Sequence, residues 1–297
     1  MKAVIHKIVS INHQDCFGKS NVWENLIPIQ AGSAVVAPDY KEYIPAASLR
    51  RFSPVLRMSL TAAQSLKTDE AFDSISVGTS LGCLKDTEKF LQTFIQATGD
   101  TLSPTAFIQS THNTIAGAIS MALGNHAYNM THTQNSLSFE TALIDGVICL
   151  NDGKKNVLVG AADEAIDFLE QLKEEMIQTA LPLTSGTTFL VLKPEGEGRK
   201  IIDCQIRFSC TDLDSEIAHF LEKNNVDPDQ LALVLQSNNL SLTLGKQQIN
   251  YEQFTGLYYT SSAFALHLAN DFQKHSDDFV LIVNNQMNGK LGLTLIG

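Results

Sequence analysis

The stretch that decides the fold begins His112-Asn113-Thr114-Ile115-Ala116-Gly117, passes Gly124 and Tyr128 to Gln134, and reaches Asn135-Ser136-Leu137. It closes on Val157-Leu158-Val159-Gly160-Ala161-Ala162-Asp163-Glu164. Thr114 to Leu123 is built of small and apolar residues, which predicts a closely packed helix, and Gly124 supplies the turn after it. Tyr128 to Gln134 reads as a strand. Beyond Ser136, the residues Leu137, Phe139, Ala142, Leu143, Ile144, Val147, Ile148, Cys149 and Leu150 cover nearly the whole circumference of a helix, the mark of a helix enclosed by other elements. Its first turn favours negative charge, so Ser136 occupies a position suited to a nucleophile.

Outward from this stretch the pattern alternates. Ala3 to Ile11 is an apolar strand, and Ala46 to Leu66 has helical spacing interrupted at Pro54. Ser74 to Thr79 is a buried strand, Lys85 to Ala97 and Pro104 to Gln109 are helices, Asp163 to Met176 is a helix, and Thr187 to Lys193 is a strand. A second series follows: strand Ile201 to Phe208, helix Leu213 to Lys223, strand Leu231 to Gln236, helix Ser261 to Phe272, and strands Phe279 to Asn285 and Lys290 to Ile296. Strand and helix alternating through both parts give an α/β layered architecture.

Composition narrows the function. The 297 residues are 44% hydrophobic and 18% charged, enough to bury a large core, and no glycine- or proline-rich linker divides them. No run approaches the length of a membrane span and the first segment is too polar for a signal peptide, so the expected location is the cytoplasm. A formal net charge of −11 excludes nonspecific nucleic-acid binding. The five cysteines include no Cys-x-x-Cys pair, which argues against a disulfide framework or a zinc site, and the histidines lack metal-ligand spacing. No metal and no resident cofactor are expected. Arg50, Arg51 and Arg57 are the one local basic cluster, read here as a solvated helix face.

The order of motifs from Asn113 to Glu164 resembles the β-ketoacyl synthases of the thiolase superfamily. There an Asn-x-x-Ala-Gly helix leads to a second glycine seven residues on, a buried strand, a nucleophilic cysteine opening a helix, and a strand ending in a Gly-Gly-x-Glu type sequence. Asn113, Gly117, Gly124 and Val157 to Glu164 match, and without a gap the cysteine position falls on Ser136. The resemblance implies a thiolase-like fold: two related halves, residues 1–180 and 181–297, in an αβαβα arrangement around a central helix pair.

The resemblance also implies residues that are missing. The family's His-Gly-Thr-x-Thr loop corresponds to Gln236-Ser237-Asn238-Asn239, so Ser237 or Asn238 replaces its histidine. Its Lys-Ser-x-x-Gly-His segment corresponds to Phe254-Thr255-Gly256-Leu257-Tyr258-Tyr259, without lysine or histidine. Asn288 stands where a gating phenylalanine is expected, before Gly289. Backbone groups at Ser136 and Asn288 would supply a residual oxyanion hole.

These substitutions lead to an expected function: a ketosynthase-like subunit without condensing chemistry, a chain-length factor paired with an active ketosynthase in type II fatty acid or polyketide synthesis, aryl-polyene-like in its short length. Pairing is expected through the strand Tyr128 to Gln134, with Tyr128, Met130, His132 and Gln134 at the interface, as a heterodimer or a homodimer. Acyl carrier protein would be met indirectly, its phosphopantetheine serving as a substrate arm. Two other readings stand beside this one. In the first, Ser136 is the nucleophile of an acyltransferase or hydrolase, with His132 four residues away as the nearest imidazole in sequence; in the second, the chain is a homodimeric acyl-binding protein.

Overall fold

A computed structural model describes residues 3–97, 103–176, 179–238, 240, 242, 244–272 and 278–297. Asn239, read above, and His275, one of the histidines without metal-ligand spacing, lie outside them. Among the described residues ten strands form the framework: β1 Ala3–Ile11, β2 Ser74–Gly78, β3 Tyr128–His132, β4 Val157–Asp163, β5 Gly186–Lys193, β6 Lys200–Arg207, β7 Leu231–Gln236, β8 Gln248–Asn250, β9 Phe279–Asn284 and β10 Leu291–Ile296. The helices are α1 Ala46–Leu49, α2 Pro54–Ser65, α3 Leu84–Gln96, α4 Pro104–Gln109, α5 Thr114–Leu123, α6 Ser138–Asn151, α7 Asp167–Met176, α8 Leu213–Lys223, α9 Glu252–Thr255 and α10 Ser262–Asp271.

Strand order is β3-β2-β4-β5-β1-β6-β10-β9-β7-β8. Read from its two ends toward the middle, this is the same arrangement twice. In each half a parallel trio (β3-β2-β4, β8-β7-β9) continues through an antiparallel pair of strands (β5-β1, β10-β6). The halves meet where β1 pairs with β6 over just Ala3↔Ile201 and Val4↔Lys200. The sheet order therefore places β5 with the first half and puts the junction between β5 and β6, after the expected boundary at residue 180.

Side-chain alternation makes the layers. On β4, Val157, Val159 and Ala161 join the cluster that holds Phe139, Ala142, Leu143 and Val147 of α6 and Phe264, Leu266 and Leu268 of α10. Leu158 and Ala162, on the opposite face of the same strand, pack with Leu56 and Leu60 of α2 and Ile115 and Ile119 of α5. In the second half Leu281, Val283 and Leu293 pack against Ile217, Phe220 and Leu221 of α8. Each fully buried side chain of this size contributes about 2–3 kcal/mol. The result is helix, sheet, helix pair, sheet, helix, with α6 and α10 as the central layer.

Pro54 stands at the first position of α2 and separates it from α1, as its missing N–H requires. The central helix is less enclosed than its apolar circumference predicts: Ile148 is 48% exposed, because that side of α6 faces the free edge of the sheet. The helix expected from Asp163 starts at Asp167, since Asp163 still belongs to β4. Among the described residues no helix is long and apolar enough to cross a membrane.

Candidate functional site

β3 ends at His132 and α6 begins at Ser138, with one tight turn, Asn135–Leu137, between them. Asn135 has φ of 54° and is exposed. A left-handed residue where a strand turns sharply into a helix is the strained, outward position of a nucleophile elbow, and asparagine tolerates that conformation better than most. Ser136 is 1% exposed and its Oγ makes no hydrogen bond among the described residues. The side chain presented at the bend is thus an amide, and the hydroxyl is turned inward.

No described histidine hydrogen-bonds to Ser136. His132 Nε2 lies 3.2 Å from Asp145 Oδ2 on α6, and Tyr128 donates its hydroxyl to Asp145 Oδ1 at 2.9 Å. Burial raises the Asp145 carboxyl, and contacts from His132, Ser76 and Tyr128 outweigh it, so the group is held below its ordinary value. His132 is therefore a partner for the central helix. His13 Nε2 accepts from Ser185 N, and His267 Nδ1 lies 2.8 Å from Ser10 Oγ.

The second half brings its motif loops to the same place. Asn284 at the end of β9 donates from Nδ2 both to the Ser136 carbonyl at 2.7 Å and to Glu140 Oε1 at 2.8 Å. Glu140 is 1% exposed, and burial raises its carboxyl. It fits because position 292 is glycine: a Cβ there would stand 2.9 Å from the Glu140 carboxyl carbon.

Glu252 on α9 organises the rest. It is 1% exposed; its Oε2 accepts from Asn238 N at 2.7 Å and its Oε1 from Gln286 Nε2 at 2.9 Å. Gln286 Nε2 also reaches Ser261 Oγ at 2.8 Å. Asn238, with φ of 58°, donates from Nδ2 to Asn285 O, and Ser237 Oγ accepts from Asn285 N. Gly256 closes α9 with φ of 66°, where a Cβ would meet Thr184 Cγ2 at 2.5 Å. Ser136, Ser237, Asn238 and Gly256 are thus brought to one site by the fold. Asn288 is exposed in the turn closed by Lys290 N and Met287 O, and makes no hydrogen bond to the others.

Sequence reasoning missed Glu252, Gln286, Asn284 and Glu140. A signal for Glu252 existed: setting the glycine of Lys-Ser-x-x-Gly-His on Gly256, two residues before the register given above, puts the lysine position on Glu252 and the histidine position on Leu257. A carboxyl raised by burial stands where a cation is expected.

The strand motif at β4 serves as scaffolding. Asp163 Oδ1 accepts from Thr79 Oγ1, Ser80 N and Leu81 N, which fixes the loop after β2. Glu164 accepts from Val55 N and Lys85 N, in the first turns of α2 and α3, which offer free N–H groups. Even so, burial pushes the Glu164 carboxyl up to about 7. Leu81, Asp163, Thr184, Leu257 and Tyr258 surround a cavity of about 30 Å³. That is room for a water molecule or two, not for an acyl chain. Among the described residues no three His, Cys, Asp or Glu side chains are grouped to hold a metal ion.

Solved structures share this fold. The ishigamide ketosynthase/chain length factor superposes with a TM-score of 0.75 at 13% identity, covering 100% of this chain and 99% of that one. A type II polyketide synthase acyl-carrier protein in complex with its ketosynthase bound to the hexaketide contains a chain that matches with a TM-score of 0.77 at 15% identity, over 100% of this chain and 99% of that one. A complex of a ketosynthase with its chain length factor from Xenorhabdus doucetiae matches with a TM-score of 0.58 at 18% identity, over 77% and 93%. At these identities the likeness establishes the fold, that of the thiolase-like ketosynthases. No curated protein matches the chain in sequence. The model of the beta-ketoacyl synthase N-terminal domain matches residues 23–205, more than half of the chain, and on that ground the chain belongs to the β-ketoacyl synthase family.

Proposed function

We propose that this chain is a non-condensing, chain-length-factor-like subunit that pairs with an active ketosynthase in type II polyketide or fatty acid synthesis, in a system of the aryl polyene kind. The observation that carries the reading is the closed network of Glu252, Gln286 and Asn238. Condensation develops negative charge on an enolate, which needs cationic or neutral donors aimed at it. Here a buried carboxyl occupies the lysine position and has its oxygens already bonded, and Leu257 occupies the histidine position. At the bend Asn135 offers an amide, which is no acyl acceptor. An acylated Ser136 would need a base within hydrogen-bond reach, and no described histidine supplies one.

Pairing is supported by the edge of the sheet. β3 lies at its end with exposed Tyr128 and Met130, flanked by Met121 of α5, 81% exposed, and Ile148 of α6. Phe94 and Ile95 of α3 and Phe107 and Ile108 of α4 are exposed apolar side chains as well. An uncovered strand edge beside apolar side chains is what a second subunit covers. Gln134, exposed just after β3, would point toward the partner's acyl tunnel and limit its length. Acyl carrier protein delivers the growing chain to the pair, and the ketosynthase complexes among the structural neighbours support a ketosynthase as the partner.

Co-expression with the ketosynthase of the same genome neighbourhood tests the reading. The two chains should co-purify, the isolated chain should gain no acyl adduct by intact mass, and Gln134→Trp should shorten the product of the pair. Condensation by the isolated chain, or product lengths that ignore several bulky substitutions near Gln134, would overturn it.

A further inference from the structure

The free edge of the sheet carries a charged pair among its apolar residues. Tyr128, Met130 and His132 alternate along β3 and so share one face, which packs on α6. On α6, Asp145 stands three positions before Ile148 and on the same side of the helix. Its carboxylate is held from both ends of the strand: Tyr128 Oη donates to Oδ1 at 2.9 Å, and His132 Nε2 lies 3.2 Å from Oδ2. The side chains of His132 and Asp145 are 17% and 15% exposed, whereas Tyr128 and Met130 on the strand and Ile148 on the helix stand out into solvent. A subunit seated on those three residues removes the last water from the pair beneath them.

The contact between His132 and Asp145 depends on charge. Nε2 and Oδ2 are closed to water, yet neither makes an aligned hydrogen bond among the described residues. A neutral imidazole gains little from that arrangement, while an imidazolium gains the attraction of the carboxylate, all the more once water is excluded. The other titratable groups around the pair keep their charge near neutral pH. Asp145 is held below its ordinary value and is ionised, and Tyr128 is pushed up to about 12 by burial and by its bond to Asp145. Cys149, one turn beyond Asp145, is raised by burial, and Asp152 and Lys154, which act on it, lie just past the end of α6. β2 and α5, which also pack against β3, carry no titratable side chain. Imidazole is the side chain whose charge changes near neutral pH, so His132 decides whether the cluster carries a single negative charge or none.

We propose that pairing with the ketosynthase takes up a proton at the His132–Asp145 pair, so that the two subunits hold together more tightly as pH falls from about 8 to about 6. The reason is the cost of burial. Covering β3 while His132 is neutral buries a lone carboxylate, whereas covering it while His132 is protonated buries two opposite charges in contact. The paired state then binds one proton more than the separate chains. Affinity therefore rises by up to about tenfold for each unit that pH falls through the titration, and levels off once His132 is protonated in the separate chain as well. This regulation rests on the pairing proposed above, and it makes the edge strand a clasp that closes with a proton.

The test is the affinity of the purified chain for the purified ketosynthase, read by calorimetric titration across this pH range at constant ionic strength. The wild-type chain should bind at least about tenfold more tightly at the acid end than at the alkaline end. Heats measured in two buffers of different ionisation enthalpy should show a proton entering the complex. His132→Gln cannot take that proton and should bind with the same affinity throughout, below wild type at the acid end. Asp145→Asn leaves no carboxylate to bury and should also be flat, without the wild-type weakening at the alkaline end. His219→Gln, which removes an exposed imidazole on α8, should keep the wild-type response, and thermal midpoints should confirm that every variant is folded. A flat wild-type profile, or a response that survives in both His132→Gln and Asp145→Asn, would overturn the proton uptake and leave the pairing standing. Failure of the wild-type chain to bind the ketosynthase at any pH would overturn the pairing, and the proton uptake with it.

Discussion

Asn284 and Ser136 are 148 positions apart and are joined by one hydrogen bond, Asn284 Nδ2 to the Ser136 carbonyl at 2.7 Å. Through it the end of β9 in the second half holds the turn that opens α6 in the first. The same amide nitrogen holds Glu140, so the two halves are fastened at the site itself as well as at the short β1–β6 seam.

Removing that amide strands a buried carboxyl. Glu140 Oε2 already has no hydrogen-bond partner among the described residues, and Asn284→Ala takes the partner of Oε1 as well. The expected loss is about 2–3 kcal/mol, read as a lower urea midpoint. In a Glu140→Met background, where no carboxyl is left to strand, Asn284→Ala should cost measurably less. Equal costs in both backgrounds would show that the amide does not act through Glu140.

Glu164 predicts a pH dependence with a definite sign. Its folded value of about 7 lies above its ordinary 4.5, so between those values the native state holds a proton that the unfolded chain has released. Stability from this group is therefore complete below about 4.5 and is lost as pH rises toward 7, by an amount of order 3 kcal/mol. Glu164→Gln carries no such proton. The free-energy difference between Glu164→Gln and wild type, measured by urea denaturation, should shift toward the variant as pH rises from 4.5 to 7; a flat difference would place Glu164 in a more solvated setting than the fold gives it.

Much of this architecture is legible in one sequence because buried strands and enclosed helices write their environment into composition. β2, β4, β5 and β7 appear as apolar runs, Gly124 ends α5 in the left-handed region, and Pro54 starts α2. The turn Asn135–Leu137 has no period, so the spacing that puts the nucleophile position on Ser136 could not show that this side chain is turned inward and that of Asn135 outward. Glu252 and Gln286 were invisible for a different reason. Their meaning lies in a hydrogen bond across 34 positions, and a search for missing histidines looks past the groups that have filled their place. Ile148 looked like core because the free edge of a sheet and its interior both favour apolar residues.

The interface predicts a separation of effects. Met130 is exposed on the edge strand, so Met130→Lys should change the stability of the isolated chain by no more than about 0.5 kcal/mol. It should nevertheless abolish co-purification with the ketosynthase, because a charge would be buried without a partner. Retained pairing at wild-type affinity would move the interface off β3.

The bend predicts a difference in chemical reactivity between adjacent positions. A thiol reacts as its thiolate and only when a reagent reaches it, so exposure and desolvation both set the rate. Of the native cysteines, Cys16, Cys83, Cys149 and Cys204 are buried and Cys210 is half-buried, which gives a low and measurable background. Asn135→Cys places sulfur at the exposed, left-handed position, and Ser136→Cys places it on a side chain 1% exposed. Reaction with a disulfide reagent should be at least about tenfold faster for Asn135→Cys, and on the proposed reading neither variant should gain condensing activity, because Glu252 and Leu257 still stand where the resemblance implies a lysine and a histidine. Faster labelling at residue 136 would mean that the hydroxyl of Ser136, and not the amide of Asn135, faces the acyl entrance.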